Sequence, residues 1–208
     1  MVLQWYGHAC FRLQANTQDA TVLIDPFDVS IGWKLPRLSA DIVLISTDSR
    51  EHAAIETVKR VGEAEPFLIK EAGEYEVRGV LMHAIPVISG RVFVIRMDEM
   101  TLMHCGTLNR AFTEEELDSI GRVDILIVPV GGGTVLDARK AADLASQLEP
   151  RIVIPMQYQL AGLKKQMDTL DPFIKELGMK RPEAVDKFKL LKKDLPAEEM
   201  LFVECKPV

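Results

Sequence analysis

The sequence predicts an α/β (α+β) fold in which two β-sheets stack face to face and helices cover the outside. In the first hundred residues, short extended apolar runs follow one another quickly, at ACFRLQ, TVLID, DIVLIS, PFLIK, VRGVLMHAIPV and RVFVIRM, with Gly, Pro and Asp between them. In the second half, strand-like and helix-like segments alternate. A hydrophobic fraction of 48% over 208 residues is enough for one well-buried core.

Taking the elements in order, MVLQW opens as a strand, and the runs above supply the strands that follow. Between Glu51 and Gly62, Ala53, Ala54, Ile55, Val58 and Val61 fall at roughly helical spacing, which predicts an amphipathic helix. In FTEEELDSIG, Thr113 and Glu116 have capping-box spacing and start a second helix. The buried strand DILIVPV leads to glycines 131 to 133, and then to a helix with a small-residue face of Ala138, Ala141, Ala142, Ala145 and Leu148. RIVIP is the next strand. Asp171 before Pro172 reads as an N-cap with proline at the first helical position, and Gly178 as the stop. No repeat, low-complexity segment or linker divides the chain, so residues 1–208 are read as a single domain.

A net charge of -6 gives no general attraction to nucleic acid or anionic lipid, because phosphate binding is driven by Lys and Arg releasing counterions. Three widely spaced cysteines, Cys10, Cys105 and Cys205, make neither a disulfide framework nor a Cys-X-X-Cys zinc site. A reducing, cytoplasmic location is expected. No basic segment leads into an apolar one at the start, and no run reaches the roughly 18 apolar residues of a membrane span.

Two stretches carry chemistry: DIVLISTDSREHAA at Asp41 to Ala54, and MHCGTLNRAFTEEELDSIGRVDILIVPVGGG with the later VIPMQY. Together with YGHACFRL, VLIDPF, GEYEV and AIPV, they resemble the metallo-β-lactamase superfamily, in the branch similar to ascorbate-6-phosphate lactonase. The resemblance implies a four-layer αββα sandwich. It also implies a His-X-His-X-Asp-His loop whose residues, with further His and Asp ligands, hold one or two zinc ions for hydrolysis. In this chain Thr47 and Ser49 stand at the first two histidine positions, Glu51 at the aspartate, and His52 at the last histidine. His104 matches the next histidine, Thr107 takes the place of a metal-bridging aspartate, and Gln157 replaces the final histidine.

On that count the surviving metal ligands are His52 and His104, with Glu51 in support, and neither family site reaches the three good ligands a hydrolytic zinc needs. Asp25 corresponds to a buried aspartate that braces the ligand loop. His8, beside aromatic residues, reads as a packed group lining the same cleft. Glycines 131 to 133 lack a phosphate-binding pattern and read as a turn. No serine has a GxSxG context, and Cys105 beside His104 would point to the opposite face of a strand.

The expected function is therefore that of a pseudoenzyme with a binding or assembly role, no cofactor, an unidentified ligand or protein partner, and a possible homo-oligomeric state. The alternative is a metal-dependent hydrolase of esters, lactones or phosphodiesters, with one zinc ion in a rearranged site.

Overall fold

The structure is a computed structural model that describes residues 1–62 and 64–208. The first half contains β1 (Val2–Trp5), β2 (Phe11–Gln14), β3 (Thr21–Ile24), β4 (Leu38–Ser39), β5 (Ile42–Leu44), β6 (Val58–Lys59) and β7 (Phe67–Ile69). After these come β8 (Gly73–Val77), β9 (Val80–Val87), β10 (Gly90–Met97), β11 (Met100–His104), α1 (Glu114–Ile120) and β12 (Ile125–Pro129). The chain ends with α2 (Ala138–Leu148), β13 (Ile152–Met156), α3 (Asp171–Leu177), β14 (Phe188–Lys189) and β15 (Leu201–Phe202).

One sheet has the order β14-β1-β2-β3-β5-β7, the other β15-β13-β12-β11-β10-β9-β8, and β4 pairs with β6 in a two-stranded ribbon. The main core lies between the two large sheets. From β3 it takes Val22 and Ile24, and from β5 Ile42 and Leu44, while Leu23 and Val43 point to the other face and join a second cluster with Phe27, Ile31, Leu35 and Ile45. Both faces of β5 are thus covered, which explains its unbroken apolar sequence.

Helices α1 and α2 lie on the second sheet, against β9 and β12, and α3 packs on α2. The outer layer on the first sheet is irregular: a 3-10 turn at Val29–Ile31, the following loop and the β4–β6 ribbon. The helix expected over residues 51 to 62 does not form. Its place is taken by a 3-10 turn at Ile55–Thr57 and by β6. The Ala54 amide donates to Pro26 O instead of to a helical carbonyl, and β-branched Ile55, Thr57 and Val58 favour extended backbone.

The α1 capping box forms as the spacing predicts, with Thr113 and Glu116 bonding reciprocally. In α3 the cap lies one residue earlier than expected: Leu170 is the N-cap, Asp171 and Pro172 are in the first turn, and Gly178 ends the helix in left-handed conformation. Among the described residues, no helix is long and apolar enough to cross a membrane.

The β10–β11 hairpin turns through Asp98 and Glu99, both at positive φ. Asp98 is buried, and its carboxylate accepts from Asn16 N, Thr17 N and Thr17 Oγ1, with the Met1 amino group 2.6 Å away. Asp98→Ala leaves these donors unpaired and strains a left-handed position, so it should lower stability by about 2–3 kcal/mol in urea unfolding.

Parallel pairing positions the site. β3 with β5, and β11 with β12 and β13, run in common directions, so the residues after these strands gather at one edge. Asp25 follows β3, residues 46 to 52 follow β5, His104 ends β11 and Gln157 follows β13. A surface groove of about 580 Å³ lined by Arg122, Ser146, Arg151 and Glu198 opens instead at the N-terminal ends of β12 and β13.

Candidate functional site

Three chain segments that reach this edge do so in left-handed backbone: His8, Asp25 and Gln157 all have φ near +50° without being glycine. Such conformations are costly and persist only where surrounding contacts impose them. Gln157 N donates to His8 O at 3.2 Å, and Trp5 Nε1 donates to the same carbonyl at 3.0 Å, so the β1–β2 turn is fixed to the end of β13. At Gly7, φ +95°, a Cβ would overlap the Trp33 ring.

Asp25 is fully buried and supports the loop after β5. One of its carboxylate oxygens accepts from Ser46 N at 2.7 Å, and the other from Ser46 Oγ at 2.6 Å and His52 Nδ1 at 2.9 Å. Burial pushes the carboxyl upward, but His52, His104 and Ser46 outweigh it and hold Asp25 below the ordinary aspartate value. With Nδ1–H directed at Asp25, His52 presents Nε2 to the site.

The Gln157 amide nitrogen lies 3.1 Å from His8 Nδ1 and 3.4 Å from His52 Nε2, so it donates toward both imidazoles. The two rings meet edge-on, with centroids 4.7 Å apart. His8 Nε2 and Gln157 Oε1 are buried and have no hydrogen-bond partner. Glu51 Oε2 lies 3.8 Å from His8 Nε2, beyond hydrogen-bonding distance, and 3.1 Å from Lys165 Nζ. Its carboxyl is pushed down to about 2 by the nearby His8 ring and then by Lys165.

His8, Glu51 and His52 each offer a donor atom within 4.8 Å of the other two. Two imidazoles and a carboxylate are a donor set suited to a catalytic metal, and with the Gln157 amide turned over, so that its now unpartnered Oε1 accepted from His8 Nδ1–H, His8 Nε2 would present a lone pair to such an ion. The residues therefore fit a metal ion, in line with the one-zinc alternative, and the expectation of no cofactor finds no support in them. That expectation counted ligands only along the strand-end pattern and assigned His8 to packing.

His104, expected as a metal ligand, meets backbone groups in this structure. Its Nε2 donates to Ala9 O at 3.0 Å, and its Nδ1 accepts from Gly106 N at 3.1 Å, so backbone groups use both ring nitrogens. Thr107 gives its hydroxyl to Ser89 O, Thr47 is half-buried, and Ser49 is exposed, with its carbonyl accepting from His52 N. Gly90 and Gly106 let the two loops come this close, since a Cβ on either would press into Ser46. The structure thus brings Glu51, His52 and Gln157 together with His8, while Thr107 and His104 bond to backbone groups. The signal for His8 in the sequence was a glycine–histidine pair turning directly after a strand.

The buried histidines set a pH dependence. Burial lowers the affinity of His8 and His104 for protons below the ordinary value of 6.5. Below that pH the unfolded chain binds protons that the folded protein refuses, so stability falls. At lower pH, Asp25 and Asp98, whose folded carboxyls lie below their ordinary value, lose their contribution as they protonate. The urea midpoint should be level near pH 7–8 and decline from about pH 6 downward; a level midpoint to about pH 4 would contradict this.

Residues 2–157 match the beta-lactamase superfamily domain family. A UPF0173 protein of Pyrococcus abyssi is 26% identical over 185 residues, covering 78% of this chain and 85% of that protein. A UPF0173 metal-dependent hydrolase of Thermococcus onnurineus is 27% identical, covering 75% of this chain and 84% of the relative. Among solved structures, a protein from Thermotoga maritima, designated a Zn-dependent hydrolase of the metallo-beta-lactamase superfamily, superposes with a TM-score of 0.83 at 28% identity. The match covers 99% of this chain and 100% of that one. With the stacked sheets, the strand-end site and this match over most of its length, the chain belongs to the metallo-β-lactamase superfamily.

Proposed function

We propose that this protein is a metal-dependent hydrolase that works with a single ion, zinc by the character of its donors, held by His8, Glu51 and His52 and acting on an ester, lactone or phosphodiester. The convergence of two imidazoles and a carboxylate, each with a donor atom close to the other two, carries this reading. The designation of the Thermococcus onnurineus relative as a metal-dependent hydrolase supports it.

When bound, the ion would supply Lewis-acid polarisation of a carbonyl or phosphoryl oxygen. The remaining work belongs to the chain. Asp25 fixes the His52 tautomer and leaves its Nε2 lone pair facing the site. Glu51 stays ionised across the physiological range. The Gln157 amide bridges both imidazoles through its nitrogen; turned over, it would direct its oxygen at them.

The test is a panel of esters, lactones and phosphodiesters, assayed with zinc-loaded and chelator-treated protein. Turnover that appears with zinc and disappears with chelator is expected; turnover unaffected by chelator, or none on any substrate class, would count against the proposal.

One observation favours a second reading, a non-catalytic binding protein. Gln157 Nε2 already satisfies two imidazole nitrogens, and Lys165 already neutralises Glu51, so the site is largely paired by protein groups alone. Protein purified without chelator and free of metal would favour that reading.

A further inference from the structure

His8, His52 and Gln157 are each about 1% exposed, whereas the side chains of Glu51 and Lys165 are 36% and 34% exposed. Glu51 and Lys165 are therefore the members of this group that reach solvent. Lys165 reaches Glu51 from a segment far away in sequence, and that segment is clasped to the rest of the protein. Trp33 Nε1 donates to Ala161 O at 3.0 Å, Lys164 N donates to Ile31 O at 2.9 Å, and Gly32 lies directly against Gly162. Met167 N donates to Gln159 Oε1 at 2.9 Å, and Asp168 N to Gly131 O at 2.8 Å. The ammonium group is thus placed by a braced loop, not by a free surface chain.

We propose that Lys165 is a built-in competitor for the metal: its ammonium occupies the Glu51 carboxylate that the ion needs, so the loop from residue 159 to 168 sets the metal affinity of the site. This rests on the assignment of His8, Glu51 and His52 as the ligands. A carboxylate oxygen 3.1 Å from an ammonium cannot give its full charge to a second cation, and the two positive charges repel at close range. Binding requires the Lys165 side chain to swing outward, and its partial exposure leaves it room to do so. Once displaced, it is a cation at the mouth of the site and is suited to a substrate bearing a carboxylate or phosphate.

The experiment is a calorimetric titration with zinc alone of four chelator-stripped proteins: the parent, Lys165→Met, Lys165→Arg and Lys164→Met. Lys164 is exposed in the same loop, so its variant removes the same charge without touching Glu51. Lys165→Met should bind zinc about tenfold more tightly than the parent, since the pair lies between the screened and the buried regimes of ion pairing. Lys165→Arg should restore the weak parental affinity, and Lys164→Met should lie within about twofold of the parent. Equal zinc affinity in all four would overturn the competition and leave the ligand assignment standing. Failure of the parent and Lys165→Met alike to bind zinc would overturn both.

Discussion

Asp25→Ala is expected to lower the unfolding free energy by about 3–5 kcal/mol, the largest stability effect of any single substitution at the site. The carboxylate is fully buried and holds Ser46 N, Ser46 Oγ and His52 Nδ1. Its removal leaves three buried donors without an acceptor and opens a gap where no water reaches easily. Asp25→Asn separates this structural role from the chemical one. Asparagine tolerates the left-handed backbone at this position and keeps an oxygen for Ser46. Its NH2, however, would face His52 Nδ1 and favour the opposite tautomer, turning Nε2 from a lone pair into an N–H. Asp25→Asn should therefore stay folded, with a smaller loss in urea unfolding, while zinc affinity falls by about 10- to 100-fold. If zinc affinity follows stability in both variants, Asp25 only supports the fold.

His8→Ala is expected to abolish measurable zinc binding, a loss of about 100-fold or more, because it removes one of the three donors that converge there among the described residues. The metal-free protein should lose only about 1–3 kcal/mol, from the unpaired Gln157 amide and the small cavity. His104→Ala makes the opposing case. Its ring tethers Ala9 O to Gly106 N and meets Phe11 edge-on, with centroids 5.8 Å apart. That variant should be clearly destabilised, yet should keep zinc affinity within a few-fold of the parent wherever it remains folded. A loss of zinc binding in His104→Ala with none in His8→Ala would restore the assignment suggested by the sequence pattern.

The two-sheet architecture could be read from the sequence because local signals agreed with the tertiary result. Continuous apolar runs such as ILIVP and IVIPM form strands covered on both faces, and the Thr113–Glu116 pair starts α1 through its own side chains. The segment from residue 51 to 62 could not be read in the same way. Its apolar spacing allowed a helix, but the Ala54 amide is taken by Pro26 O and Val58–Lys59 pairs with β4, partners that no local pattern reveals.

The site divides along the same line. Asp25, Glu51, His52 and Gln157 lie in strand-end motifs and were visible as candidates. His8 could be placed at the cleft only as a packed group, and Lys165 could not be singled out at all, because each acquires its partners from a turn brought close by distant chain. His8 reaches Gln157 through a bond spanning 149 positions, and Lys165 reaches Glu51 across 114. A ligand count made along one motif thus left out His8, whose ring lies beside Glu51 and His52.

The most direct test is anomalous X-ray scattering from crystals of the zinc-loaded protein. One peak per chain is expected, about 2.0–2.2 Å from a ring nitrogen of His8, a ring nitrogen of His52 and an oxygen of Glu51, with Lys165 turned away. No peak at that position, or a peak beside His104 instead, would contradict the account.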